Sequence, residues 1–279
     1  MPSLILEGGT FRPIFSAGIM DALLDNDIIF PYCIGVSAGI TNGYSYISKQ
    51  KGRNLKLLAY RNDKRYVNIK NFLKCKSLFG LDFVFDEIPN KLVPFDNETF
   101  LDYDGKVVVG VTNAKTGQVE YLDGKQIDKP WTILRATCAI PLIFPAIEFN
   151  GKKYYDGGVG DPIPIKKAVA DGNEKHLIIL TQPKGYVKEL DKKSIFLLNL
   201  FKKKFGALKD HALNRHTRYN ESVKYCEQLE KEGKALILRP APDQAINSFE
   251  KDVNILREAY ENGYKLAIEN LDKIKSLFN

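Results

Sequence analysis

Tyr32-Cys33-Ile34-Gly35-Val36-Ser37-Ala38-Gly39 is an apolar run that ends in a G-x-S-x-G pentapeptide and leads directly into a helix-compatible segment. A strand that reverses sharply into a helix forces the residue at the reversal into a strained conformation, so its neighbours must be small. Gly35 and Gly39 meet that need, and Ser37 is lifted clear at the helix N-terminus as a candidate nucleophile. Glycine and serine are common in turns, so the pentapeptide alone says little; the strand in front and the helix behind set this one apart.

Upstream, Leu4-Ile5-Leu6 reads as a short buried strand, Glu7-Gly8-Gly9-Thr10 as a turn, and Ile14 to Leu24 as a helix. The serine segment repeats that order, with a helix expected from about Ala38 to Lys49. Two such units in succession predict βαβ winding and a mostly parallel central sheet with helices on both faces, with functional groups at the carboxyl ends of the strands. Val107 to Val111 is a further buried strand, and Gln118 to Leu122 is its expected neighbour across the turn Lys115-Thr116-Gly117. Trp131 to Cys138 reads as a short helix. Leu177 to Thr181 and Ala235 to Leu238 read as strands, and apolar spacing predicts helices over His211 to Glu232 and Asp252 to Leu271. Gly52 to Phe100 is mixed helix and loop.

A chain of 279 residues with 44% hydrophobic and 27% charged residues has the composition of a soluble globular protein. No apolar run approaches a membrane span, and Met1 to Leu6 lacks the features of a secretory signal, so a cytoplasmic protein is expected. Cys33, Cys75, Cys138 and Cys226 are scattered without a C-x-x-C pair, which points to reduced, packed thiols rather than a zinc site or a disulfide framework. No calcium-loop pattern occurs, and neither a metal nor an organic cofactor is called for. The net charge of +7 and pI near 9.0 invite a polyanionic partner. Positive charge concentrates between Lys49 and Lys76, with Tyr60, Tyr66 and Phe72 interspersed, and again between Lys184 and Lys209. In the second region Ile195 to Phe205 sets bulky apolar residues beside Lys202, Lys203 and Lys204, as in segments that lie at a lipid interface. A solvated helix face is the plainer reading of both regions. No recognised motif supports nucleic-acid binding, and oligomeric state is left open.

A serine nucleophile needs a base for its proton and donors for the oxyanion. Backbone N–H groups of Gly8, Gly9 and Thr10 follow the first strand and face the same crevice as Ser37, and the glycines allow close approach. His176 is expected at the far end of its strand, while His211 and His216 lie on an amphipathic helix, so all three histidines are poorly placed as the base. Asp156, in Tyr154-Tyr155-Asp156-Gly157-Gly158, is the better candidate, because a carboxylate desolvated beside a serine has a raised proton affinity.

Together these pieces resemble the patatin-like phospholipase family. Glu7-Gly8-Gly9-Thr10-Phe11-Arg12 is similar to its G-G-G-x-R/K-G pattern, Gly35 to Gly39 to G-x-S-x-G, and Asp156-Gly157-Gly158 to D-G-A/G. Arg135 to Pro145 is similar to the small-residue segment of the family that ends in A-x-P-x-x-F-x-P. The likeness covers about Leu4 to Val169, and Arg215 to Asn220 is similar to the C-terminal extension of a bacterial branch. It implies a three-layer α/β/α fold, with a core over 1–175 and a part over 176–279 that completes the sheet and adds helices. It also implies a Ser-Asp dyad acyl hydrolase acting on a phospholipid or lysophospholipid. Ser37 would be the nucleophile, Asp156 the base, and Gly8, Gly9 and Thr10 the oxyanion site. Arg12 matches the family's basic residue and would add positive charge near a phosphate or oxyanion, a surface arginine being the alternative. Thr10 replaces the third glycine of the pattern, and Pro13, which has no N–H, stands where the family has a glycine. A positive φ at Thr10 would be strained. Two other readings are a Ser-His-Asp esterase for small soluble esters and a weakly active or inactive lipid-binding module.

Overall fold

The computed structural model describes residues 1–68, 77–190, 196 and 202–279. The strands are β1 (Pro2–Leu6), β2 (Tyr32–Val36), β3 (Lys106–Asn113), β4 (Val119–Asp123), β5 (Ile147–Phe149), β6 (Lys152–Asp156), β7 (Lys175–Ile179) and β8 (Ala235–Leu238). They form one eight-stranded sheet in the order β5-β6-β3-β2-β1-β7-β8, with β4 also paired to β3. From β3 through β2, β1 and β7 to β8 every pairing is parallel, as expected of repeated strand–turn–helix units. The other edge is antiparallel: β4 folds back on β3 through the anticipated turn, and the hairpin β5–β6 adds to the opposite side of β3.

Alternation along the strands separates two cores. Leu4, Leu6, Cys33, Val107 and Val109 pack with α1 (Ile14–Leu24) and α2 (Ser37–Ile47). Ile5, Ile34, Val108 and Ile178 pack on the other face. The helices there are α7 (Ile165–Ala170) and α9 (Arg215–Lys231), which supply Ile165, Tyr219, Cys226 and Leu229. The result is the expected mostly parallel three-layer α/β/α fold. The remaining helices are α3 (Arg53–Leu57), α4 (Asn97–Leu101), α5 (Thr132–Thr137), the single turn α6 (Gly157–Gly160), α8 (Lys202–Leu213), α10 (Val253–Glu269) and α11 (Leu271–Lys275). A π-helical stretch spans Phe83–Leu92.

α10 crosses α1 at a contact that two glycines make possible. A Cβ on Gly18 would lie 1.9 Å from the Tyr260 carbonyl oxygen, and one on Gly263 would lie 2.1 Å from the Phe15 carbonyl oxygen. The Tyr260 hydroxyl donates to Asp21 at 2.6 Å and the Tyr264 hydroxyl to Asp25 at 2.7 Å, which fixes the register of the pair.

The helix predicted over His211 to Glu232 is broken at Asn214 into α8 and α9. Apolar spacing runs through the break; what turns the chain is the docking of the first turn of α9, where Arg215 donates to the Gly158 carbonyl and Arg218 to the Val159 carbonyl. The basic regions divide. In the first, Lys49, Lys56 and Lys64 are exposed, but Arg53 and Arg61 are 8% and 5% exposed, contrary to a purely solvated face. Lys70, Phe72, Lys74, Cys75 and Lys76 lie outside the described residues. In the second, residues 195 and 197–201 of the apolar-basic segment lie outside them, and exposed Phe196 lies within. Among the described residues no helix is long and apolar enough to cross a membrane.

Candidate active site

β2 runs into α2 without a loop. Val36 is extended and Ser37, the next residue, takes φ 51°, a left-handed conformation that costs an L-residue energy and persists only where its surroundings hold it. A Cβ on Gly39 would lie 2.3 Å from the Glu7 carbonyl oxygen, so α2 crosses the end of β1 at van der Waals contact of the two backbones. A Cβ on Gly35 would lie 2.8 Å from that of Leu6. The two glycines of the pentapeptide therefore serve the approach of β1 to the serine turn.

Asp156 arrives from the antiparallel edge. Asn150 and Gly151, at φ 48° and 72°, make the tight turn from β5 into β6, an Asn-Gly pair of the kind that favours two-residue hairpins. In register, Val36 pairs with Gly110 and Asp156 with Val111 on the edge of β3 away from β4, so β2 and β6 follow one another along that edge and bring the two candidate residues together. Gly157 lets the chain after Asp156 pass close to β3: a Cβ on it would lie 2.1 Å from the Gly110 carbonyl oxygen. The Ser37 hydroxyl donates to Asp156 Oδ2 at 2.7 Å, and the Gly158 N–H donates to Oδ1 at 2.8 Å. Both side chains are 7% exposed. Burial pushes the Asp156 carboxyl above its ordinary range; the hydrogen bonds from Ser37 and Gly158 and the charge of Arg215 partly oppose it.

Two threonines absent from the sequence-based site hold this pair. The Ser37 N–H donates to Thr137 Oγ1 at 2.8 Å, and the Thr137 hydroxyl donates to the Gly110 carbonyl at 2.7 Å. The Thr112 hydroxyl donates to the Asp156 carbonyl at 2.7 Å. Thr137 belongs to the small-residue segment Arg135 to Pro145, whose likeness to the family pattern was its only signal.

The loop Gly8-Gly9-Thr10 lies against the serine: a Cβ on Gly8 would lie 2.9 Å from that of Ser37. Gly9 takes φ 149° and Thr10 φ 57°, so the threonine that replaces the family's third glycine does occupy the strained left-handed region. Among the described residues the N–H groups of Gly8, Gly9 and Thr10 donate to no protein acceptor. Pro13 sits at the N-cap of α1, where no N–H is required, and its carbonyl accepts the Ala17 N–H at 3.0 Å. Arg12 is turned beneath the loop. Its Nε donates to Thr181 Oγ1 at 3.1 Å, its Nη1 to Ser248 Oγ, and its Nη2 lies 3.9 Å from Glu7 Oε1. Glu7 Oε2 in turn accepts the Thr181 N–H at 2.6 Å; its carboxyl is pushed up by burial and drawn down by Arg12. A buried acid and a partly buried base thus brace the loop from below, an arrangement that the motif alone does not display.

The three histidines stand elsewhere. His176 is 1% exposed at the amino end of β7, with Nδ1 2.7 Å from Ser3 Oγ, and burial pushes it down to about 4. His211 contacts Gln118, and His216 the Leu213 carbonyl. Cys138 lies beside Thr41, its thiol pushed up to about 12 by burial and by the charge of Asp156, so it stays protonated at neutral pH. Among the described residues no cluster of His, Cys, Asp and Glu could hold a metal ion.

Ser37 opens onto a cavity of about 170 Å³. Two antiparallel helical strips form one wall: Ser37, Ala38, Thr41 and Asn42 from α2, and Arg53, Asn54, Leu57, Leu58 and Arg61 from α3 and the turn after it. Phe79, Phe85, Phe95, Trp131 and Phe144 contribute to an otherwise largely apolar lining. Arg61 stacks on Phe11, next to Thr10, at 3.9 Å from the ring centroid, and donates to the carbonyls of Phe249 and Glu250. Positions 53, 57 and 61 share one helical face, but their charge pointed to solvent, so the sequence did not mark either arginine as a cavity residue.

The sequence model of the patatin-like phospholipase family matches residues 4–169, and the chain belongs to that family. A second model, a domain of unknown function designated DUF6363, matches residues 206–279. The Escherichia coli (strain K12) protein titled "Uncharacterized protein YjjU" is 28% identical over 188 residues, which make up 65% of this chain and 52% of that one. The chain thus spans about half the length of that curated relative. The crystal structure of VipD from Legionella pneumophila aligns over 97% of this chain and 66% of its own, at 15% identity and a TM-score of 0.48.

Proposed function

We propose that the protein is a lipid acyl hydrolase that cleaves a carboxylic ester of a phospholipid or lysophospholipid through an acyl-serine intermediate. The observation that carries this reading is the 2.7 Å hydrogen bond from Ser37 to a desolvated Asp156 at the mouth of a largely apolar cavity. In the first step Asp156 takes the hydroxyl proton as Ser37 Oγ attacks the ester carbonyl, and the N–H groups of Gly8, Gly9 and Thr10 receive the oxyanion. Collapse breaks the bond to the leaving alcohol, which takes the proton from Asp156. Water then gives a proton to Asp156 and attacks the acyl-serine carbonyl; release of the fatty acid returns the proton to Ser37. Arg12 acts as a positioning residue that keeps the loop in place.

The alternative of a Ser-His-Asp triad is separated by replacing His176, His211 and His216 singly with alanine. The dyad predicts that each folded variant keeps fatty-acid release from lysophospholipid and p-nitrophenyl esters within about threefold of wild type, whereas a catalytic histidine would cost at least ~10²-fold. Loss of that size in any folded variant overturns the dyad.

Exposed Lys49, Lys56 and Lys64 on the outer side of the cavity's basic segment support contact of a cytoplasmic enzyme with an anionic bilayer. Co-sedimentation should be stronger with anionic than with neutral vesicles and should weaken as salt rises; equal binding to both would refute this contact.

A further inference from the structure

Among the described residues the cation at the far end of the cavity has no counterion. Arg53 is 8% exposed and lines the cavity beside the Phe95 ring, whose centroid lies 5.2 Å from its Cζ. Its Nη1 donates to Ser45 Oγ at 3.2 Å and its Nη2 to the Val93 carbonyl at 3.0 Å; Nε is buried without a partner. A guanidinium has five N–H groups, and only these two are engaged among the described residues, both by neutral acceptors. Burial pushes Arg53 down, to about 10, with no carboxylate among the described residues opposing it, and it remains charged at neutral pH. A buried charge is ordinarily paired. Arg61, at the near end, differs in being tied to two carbonyls of the chain and in feeling the charge of Glu250.

The position of Arg53 follows from the helix beside it. Ser45, which its Nη1 touches, lies eight residues beyond Ser37 on α2, a rise of about 12 Å. Between the two, the polar residues of the wall are Thr41, Asn42, Tyr44 and Asn54, and the rest is apolar. We propose that the cavity is a subsite for acyl chains ending in a carboxylate, the ester carbonyl lying at Ser37 and the distal carboxylate pairing with the Arg53 guanidinium. An extended chain advances about 1.2 Å per bond, so half-esters of medium-length dicarboxylic acids match the span. Phospholipids whose acyl chain has been cleaved oxidatively to a terminal carboxyl group carry that chemistry. A planar guanidinium with free N–H groups suits a bidentate carboxylate.

The inference rests on the acyl-hydrolase reading for its substrate but not for its site, and the experiment has two arms accordingly. In the first, p-nitrophenyl half-esters of adipic, suberic and sebacic acids are compared with p-nitrophenyl hexanoate, octanoate and decanoate. At one or more lengths kcat/KM should favour the carboxylated chain by roughly ten- to hundredfold, and Arg53→Met should abolish or invert that ratio while Arg53→Lys keeps part of it. In the second arm, monomethyl suberate and its neutral counterpart dimethyl suberate are titrated into the Ser37→Ala protein. The half-acid should bind at least about tenfold more tightly. No hydrolysis of any ester in the first arm, with selective binding of the half-acid in the second, would refute the hydrolase reading and leave the subsite standing. Equal affinity for the two suberates, which needs no Arg53 variant to fold, would overturn the subsite; so would a half-ester preference unchanged in folded Arg53→Met.

Discussion

Ser37→Ala is expected to lower kcat/KM toward lysophospholipid and p-nitrophenyl esters by roughly 10⁴- to 10⁶-fold, the range in which loss of a nucleophile leaves only binding and oxyanion stabilisation. Steady-state release of fatty acid measures it, and activity within tenfold of wild type in the folded variant would remove Ser37 from the nucleophile's role. The backbone should not change: alanine meets the same cost at φ 51° as serine does, and the Ser37 N–H still donates to Thr137. The stability cost has a different origin. Without the hydroxyl, Oδ2 of Asp156 loses its 2.7 Å donor while Oδ1 keeps the Gly158 N–H. Leaving a buried acceptor unpaired costs about 1–3 kcal/mol. Because that donor favours the charged form, its removal should raise the Asp156 carboxyl further. The loss of stability should therefore shrink in acid, where the carboxyl binds a proton, and urea denaturation across pH will show this.

Asp156→Asn should remove about 10³- to 10⁴-fold of the activity, since the amide cannot take the Ser37 proton. Its effect on stability should have the opposite sign. Burial raises the carboxyl in the folded state above its unfolded value, so folding favours the protonated form. That contribution is complete below the unfolded pKa and is lost as pH rises through the raised folded pKa. Asparagine resembles the protonated acid in charge at every pH. The variant should therefore match wild type near pH 3 and exceed it at neutral pH, the difference opening through the folded-state titration. The same titration should set the acid limb of wild-type kcat/KM above the ordinary carboxylate range, where the unprotonated base appears. Asp156→Asn that is active, or that is destabilised at neutral pH and not in acid, would contradict the assignment.

The parts of this fold that are legible in sequence are those where one strand or one helix decides its own character. β1, β2, β3, β7 and β8 are short apolar runs, and the strand–glycine–helix order of the first two specifies parallel winding. The hairpin β5–β6 was not read from the sequence: Ile147–Phe149 has only three residues, and three of the five residues of Lys152–Asp156 are charged, which leaves the Asn150-Gly151 turn as its one local mark. Ser37 and Asp156 could be chosen from their glycine neighbours because close backbone approach requires glycine locally. Arg53 and Arg61 misled for the opposite reason. Charge in a basic run predicts solvent, and only the packing of that run along α2 turns two of its cations inward. The Glu7–Arg12–Thr181 brace joins residues that adjoin only when β1 and β7 pair, so no local pattern could have announced it.

Ser248, Phe249 and Glu250 lie outside the stretch matched by the phospholipase family, yet they hold its loops. The Ser248 carbonyl accepts the Phe11 N–H at 3.1 Å and its hydroxyl accepts Arg12, while the next two carbonyls receive Arg61. Arg215 and Tyr219 reach the same neighbourhood from α9, beside Asp156 and Glu7 respectively. Homologues that exchanged this C-terminal segment for an unrelated one would inherit the serine and aspartate without the carbonyls that anchor the loop above them. Natural variation at Phe11, Arg12 and Arg61 should accordingly be correlated with variation at 248–250, and the two halves are constrained to diverge as a single inherited unit.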